Sequence, residues 1–225
     1  MSPPDTLVSS VTVDPSPDPI DAVVFDLGGV LLDWDPRYLY RELFADEAEM
    51  ERFLAEVCTP DWHVANDLGG RPVRENCAQL ARAHPDLAAA IMAWSERSEE
   101  MIGGTIDGTV TILAQLRSAG MPCYALTNME AETFPVRRER FGFMRWFAGA
   151  VVSSHEGVVK PDPEIFRRLL ERFDLRAQTT AFIDDAPRNV DAALALGLQA
   201  IRFTSPGALR DWLVARGALA STHRP

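Results

Sequence analysis

Four short polar features interrupt apolar runs in this chain, and their residue types could together move a phosphoryl group. They are Asp26 in Phe25-Asp26-Leu27-Gly28-Gly29-Val30, the pair Thr127-Asn128, Lys160 in Val159-Lys160-Pro161-Asp162, and the pair Asp184-Asp185. Each has a plain structural alternative, as a turn residue, a helix cap or a surface charge. A phosphate dianion repels a carboxylate nucleophile, so a site for such a reaction must first neutralise charge. A hard cation held by oxygen ligands does so, and magnesium is commonly bound by one or two carboxylates together with substrate oxygens and water. Asp26 and Asp185 could supply those carboxylates, with a main-chain carbonyl near Gly28 as a third ligand. Lys160 adds a positive point charge, and the Thr127 hydroxyl can donate to phosphoryl oxygens. Asp26 is expected to be ionised at neutral pH, since a free aspartate titrates near 3.9. Nucleophilic attack by it would divide hydrolysis into two easier steps.

Composition narrows what such a site serves. The 225 residues carry a formal net charge of -11. That balance argues against a nucleic-acid partner or an anionic membrane surface, both of which need a basic patch. An anionic substrate must then be held by local charge. Cys58, Cys77 and Cys123 are widely spaced and contain no Cys-x-x-Cys pair. They read as buried free thiols in a reducing compartment. No apolar run is long enough to span a bilayer, and the N-terminus lacks the pattern of a signal peptide. The expectation is a cytoplasmic protein acting on a small molecule, as a monomer or homodimer.

The elements that must position the four features follow from hydrophobic patterning. Residues 1–19, rich in Pro, Ser and Asp, are expected to form a disordered tail. Ala22–Phe25, Cys123–Leu126, Gly149–Val152, Thr180–Ile183 and Ala200–Phe203 read as buried strands. Between them lie helical patterns. Val110, Leu113 and Leu116 mark one face, closed by Gly120, and a polar helix covers roughly 131–141. Asp162 and Pro163 open a helix striped by Ile165, Phe166, Leu169, Leu170 and Phe173. A further helix carries Val190, Ala193 and Leu194 and stops at Gly197, and another follows the last strand. This alternation predicts an α/β fold with a doubly wound parallel sheet, a Rossmann-like core over 20–36 and 105–220. From 37 to 104 little strand-like sequence appears, and amphipathic stretches at 46–57, 73–83 and 86–101 predict a helical cap inserted after the first strand. In open α/β sheets ligands bind beyond the carboxyl ends of the strands, so this cap is expected over the site.

In this order and spacing, the four features resemble the motif set of the haloacid dehalogenase-like hydrolases, across residues 20 to 217. The resemblance implies Asp26 as nucleophile, forming an aspartyl-phosphate, with Thr127, Asn128 and Lys160 holding the phosphate. It implies Mg2+ on Asp26, the Gly28 carbonyl and Asp185, with Asp184 acting through water or from behind. Asn189 would orient that shell, and the bond before Pro161 would be cis. The implied activity is a magnesium-dependent phosphatase for a small phosphorylated metabolite, a sugar phosphate by similarity to a subgroup with an Asp-Leu-Gly-x-Val motif.

One departure stands out. Phosphatases of this family usually carry a second Asp two positions after the nucleophile, which protonates the leaving group; here that position is Gly28. General acid catalysis is worth about 10²–10⁴-fold, so an activated ester such as an anomeric sugar phosphate is the expected substrate. Asp33 and Asp35 follow closely and could supply the proton instead, but they read first as turn and cap residues before Pro36. Two alternatives stay open, a 2-haloacid dehalogenase and a non-catalytic phosphoester-binding module. For the substrate wall of the cap the candidates are Trp34, Trp62, His63 and Asn66, while Trp94 and Met101 fall at spacings typical of packing.

Overall fold

The computed structural model describes residues 18–221. The expected tail therefore lies, but for Asp18 and Pro19, outside the described residues. Five parallel strands form the central sheet: β1 (Ala22–Phe25), β4 (Cys123–Thr127), β5 (Gly149–Val152), β6 (Thr180–Asp184) and β7 (Gln199–Arg202). Their spatial order is β5-β4-β1-β6-β7. Because β1 is central it is covered on both faces, and all four of its residues are buried. Alternation along it sends Val23 and Phe25 into one core and Val24 into the other. The first core is covered by α6 (Asp107–Ser118) and α11 (Pro206–Ala215), the second by α9 (Pro163–Arg172) and α10 (Pro187–Ala195). The helices lie on both faces of the sheet, as the sequence alternation predicts.

Local signals account for several of the helix starts. Asp162 accepts from the Glu164 amide at 2.8 Å with Pro163 in the first turn, and Ser205 caps α11 by accepting from the Ala208 amide. In α10 Val190 and Ala193 are buried against the sheet, while Leu194 is half exposed. One strand boundary needs correcting. The last strand runs Gln199–Arg202 rather than Ala200–Phe203.

The chain between the first two sheet strands is mainly helical: α1 (Arg37–Tyr40), α2 (Glu47–Glu56), α3 (Pro60–Asp67), α4 (Val73–Ala83) and α5 (Ala88–Glu96). These helices have their own core, in which Tyr40, Phe53, Cys77, Ile91 and Trp94 are buried. The expected helix over 86–101 is broken into a 3-10 turn at Pro85–Leu87, α5, and a second 3-10 turn at Ser98–Met101. The entry and exit of this insert are joined by a feature absent from the sequence reading, a two-stranded antiparallel ribbon of β2 (Leu32–Trp34) and β3 (Ile102–Thr105). Gly103 and Gly104 hide β3 in the sequence, since glycine has low strand propensity and no side chain to show alternation. Two helices remain, α7 (Thr133–Arg140) and the short α8 (Ser153–Glu156). Among the described residues no helix is long and apolar enough to cross a membrane.

Candidate active site

Parallel register brings the four motifs to one edge. Phe25 pairs with Ala125 on one side and Ile183 on the other. Asp26, Thr127 and Asp184 consequently emerge together at the carboxyl ends of β1, β4 and β6. The Asp26 amide still donates to the Ile183 carbonyl at 2.9 Å, which fixes the turn where its side chain leaves the sheet. Lys160 reaches the same point from the loop between α8 and α9.

Lys160 is fully buried, and its Nζ lies 2.9 Å from Asp26 Oδ1 and 2.7 Å from Asp184 Oδ2. Burial pulls its pKa down, but the charges and hydrogen bonds of Asp26 and Asp184 outweigh that and hold it above the ordinary value. Burial pushes the Asp26 carboxyl up to about 7, with Asp184 adding to the rise and Lys160 opposing it. The Leu27 amide donates to Asp26 Oδ1 at 2.7 Å.

Asp184 is completely enclosed and both of its oxygens have partners. Oδ1 accepts from the Ala186 amide and Asn189 Nδ2, both at 2.9 Å, and Oδ2 accepts from Lys160 and from Asn189 Nδ2 at 3.0 Å. It thus aims Lys160, and Asn189 aims it. Asp185 is more open, its carboxyl raised by burial and by the neighbouring Asp184 charge.

The donor set suits a hard divalent cation. Oxygens of Asp26, Asp184 and Asp185 lie within 4.8 Å of one another. Gly29, at φ +69°, makes this possible: a Cβ there would collide with the Asp185 carboxylate. Asp26 and Asp185 could hold Mg2+ here, with Gly28 lining the same cavity and the enclosed Asp184 behind them.

Asp26, Gly28, Lys160 and Asp185, but not the enclosed Asp184, line a cavity of about 220 Å³ between the sheet edge and the helical insert. Of the residues expected there, Asp26, Gly28, Trp34, His63, Thr127, Asn128, Lys160, Asp185 and Asn189 do line it. Asn128, expected at the phosphate, has its side chain engaged elsewhere: Nδ2 donates to the Lys160 carbonyl at 3.0 Å and Oδ1 accepts from the Lys160 amide at 2.8 Å. The bond that follows, Lys160-Pro161, is cis. Trp34 stacks on His63 with ring centroids 5.0 Å apart.

Trp62 and Asn66 lie elsewhere. They line a separate cavity on another face of the insert, where Asn66 Oδ1 accepts from Asn76 at 2.8 Å and Trp62 packs edge-on against Trp94. In α3 the residues three to four apart share a face, so His63 and Asp67 turn to the sheet while Trp62 and Asn66 turn away. Asp33 is not a turn residue but lies in β2, paired with Gly104 and accepting from the Tyr38 hydroxyl, whereas Asp35 accepts from the Arg37 amide at the start of α1.

The cavity also contains Asp67, Glu130, Arg137 and Arg188, which the sequence reading did not single out. Asp67 follows from the His63 spacing on α3, but Glu130 and Arg137 carry no local signal. Burial holds the His63 imidazole below its ordinary value, with Arg137 helping and Glu130 opposing.

Comparison with known proteins agrees with this fold. Similar proteins include the sesquiterpene phosphatase astK of Aspergillus oryzae, 26% identical over 183 residues, covering 81% of this chain and 89% of that one. The phosphorylated carbohydrates phosphatase of Thermotoga maritima is 25% identical over 189 residues, covering 81% and 84%. Among solved structures, a HAD family enzyme from Bacteroides thetaiotaomicron in complex with magnesium and inorganic phosphate superposes with a TM-score of 0.64 at 20% identity, covering 83% of this chain and 95% of that one. The family model for haloacid dehalogenase-like hydrolases matches residues 20–197, and the chain belongs to that family.

Proposed function

We propose that this protein is a magnesium-dependent phosphatase that hydrolyses a small phosphorylated metabolite through an aspartyl-phosphate on Asp26. The observation that carries the reading is the placement of Asp26, a buried carboxylate 2.9 Å from a buried lysine and beside a second acid suited to a cation. Bound magnesium would lower the charge between Asp26 and the incoming phosphate and keep Asp26 ionised. Lys160 holds a transferring oxygen by charge, and the buried Thr127 hydroxyl at the end of β4 donates to another. Asp26 then attacks phosphorus, the bond to the leaving oxygen breaks, and water releases phosphate from Asp26 in a second step.

The cavity wall opposite Lys160 argues for a hydroxylated substrate. His63, Asp67, Glu130 and Arg137 face it with hydrogen-bonding groups, and such groups reward hydroxyls and reject a purely apolar body. A sugar phosphate fits this wall, in keeping with the Thermotoga relative. The helical insert that carries His63 and Asp67 is the substrate-selecting cap.

The test is a phosphate-release screen over sugar, polyol and aryl phosphates, with and without magnesium, on wild type and Asp26→Asn. Metal-dependent release that the substitution abolishes is expected. Halide release from a 2-haloacid without metal would replace this reading with dehalogenation, and inactivity in both assays would leave a binding module.

A further inference from the structure

Gly28 leaves the sheet edge without the acid that protonates a leaving group, yet the cavity holds another candidate, contributed by the insert. Asp67, the last residue of α3, is 3% exposed and lines the same cavity as Asp26 and Lys160. Its position is fixed from the sheet side: Ser153 Oγ donates to the Asp67 carbonyl at 2.7 Å and accepts from the Met129 amide at 3.0 Å. Ser153 thereby ties the end of α3 to the strand ends that carry the site. The Asp67 carboxyl is only loosely held. Oδ2 stands 3.6 Å from His63 Nε2, beyond hydrogen-bond range, and Oδ1 is buried with no partner.

The geometry points to Asp67 as the catalytic proton donor for the leaving group, delivered by the helical insert in place of the acid missing at Gly28. This rests on the phosphatase reading above. As Asp26 bonds to phosphorus, the electron pair of the breaking P–O bond goes to the leaving oxygen, which takes the Asp67 proton. In the second step the water that attacks the aspartyl-phosphate gives up its proton to solvent, and the Asp67 carboxylate regains one from solvent, which returns it to its starting form. A donor must hold its proton at neutral pH, and its surroundings favour this. Burial, then the negative charge of Glu130 and, farther off, of Asp26, hold the Asp67 carboxyl well above the usual carboxylate range, against Arg137 and Lys160. The neighbouring His63 is held the other way, toward its neutral form. Glu130 accepts from the Thr133 hydroxyl at 3.2 Å. With Asp67 in this role, the restriction to activated esters that Gly28 alone implies is lifted.

The test compares p-nitrophenyl phosphate, whose leaving group needs no proton, with a simple alkyl phosphate, whose leaving group does. Asp67→Asn should lower alkyl turnover by about 10²–10⁴-fold and aryl turnover far less, and the remaining aryl turnover reports that the variant is folded. Equal losses on both substrates, or no loss on either, would overturn the assignment. A second variant does not depend on the stability of the first. A Cβ at Gly28 would meet only Trp34 Cβ, at 3.9 Å, so Gly28→Asp has room. In the Asp67→Asn background it should restore alkyl turnover. In the otherwise wild-type chain it should add less than about tenfold, and a gain of about 10²-fold or more there would mean that no donor was present and would refute the role. Asp26→Asn is the control: if it leaves release of phosphate intact, the phosphatase reading falls and this inference falls with it.

Discussion

Asn128 grips the main chain of Lys160 from both sides, its amide donating to the Lys160 carbonyl at 3.0 Å and its carbonyl oxygen accepting from the Lys160 amide at 2.8 Å. A loop residue is thereby held as firmly as a strand residue, and its buried ammonium meets two carboxylates from two different strands. The reciprocal pair explains why Asn follows Thr127 at this sheet edge. Its side chain holds the main chain of the lysine.

Removing that grip should misplace the lysine without removing it. Asn128→Ala leaves the Lys160 amide and carbonyl without these partners, at a cost of about 1–3 kcal/mol in stability. A shift of about 1 Å in a positioned group can lower turnover about 10²-fold. Thermal melts and steady-state phosphate release check both, and unchanged turnover would show that the loop holds its shape without Asn128.

Lys160 itself should be more costly to lose. Lys160→Met strips the cation from two buried carboxylates, and breaking a buried pair in this way destabilises by about 3–5 kcal/mol. Denaturant melts should show the loss. The double variant Lys160→Met/Asp184→Asn should recover part of it, because one of the stranded charges is gone.

Gly29→Ala is expected to weaken magnesium binding. The new Cβ meets the Asp185 carboxylate, and φ +69° disfavours any side chain. Disturbing the groups that orient a metal ligand typically costs 10–100-fold in metal affinity, which a calorimetric magnesium titration would read. Affinity equal to wild type would mean that Asp185 can be displaced without consequence.

Substrate affinity should separate the cavity from the outer face of the insert. Arg137 lies in the cavity, and a hydrogen bond to a charged group is worth about 1.5–3 kcal/mol, so Arg137→Ala should raise KM by about tenfold or more. Asn66→Ala, on the other face, should leave KM as it is. Kinetics on the best substrate from the screen compare the two.

Without metal, stability should fall as pH rises through neutrality. The Asp26 carboxyl is pushed up to about 7 by burial in the folded chain, whereas an unfolded aspartate titrates near 3.9. Between those values the folded state holds a proton that the unfolded state has lost. The stabilisation is complete below about 4 and fades as pH rises through about 7. Melting in the presence of a chelator should therefore occur at lower temperature at pH 8 than at pH 5.5. Asp26→Asn should flatten the slope.

Much of this was readable along the chain because it rests on local rules. Ala22–Phe25, Cys123–Leu126 and Thr180–Ile183 announce themselves as buried strands, and Asp162-Pro163 announces a helix start. A parallel sheet then has to deliver Asp26, Thr127 and Asp184 to one edge. What only the tertiary structure decided depends on which side chains meet across distant segments. Lys160 and Asn128 come together 32 residues apart. The ribbon of β2 and β3 forms because pairing satisfies backbone groups that Gly103 and Gly104 do not advertise. The rotation of α3 chose His63 and Asp67 over Trp62 and Asn66 for the cavity. Helical periodicity predicts which residues share a face, but only packing of the insert against the sheet decides which face turns inward. For that reason Gly28 read in sequence as a missing acid, and only the fold brought Asp67 to the cavity.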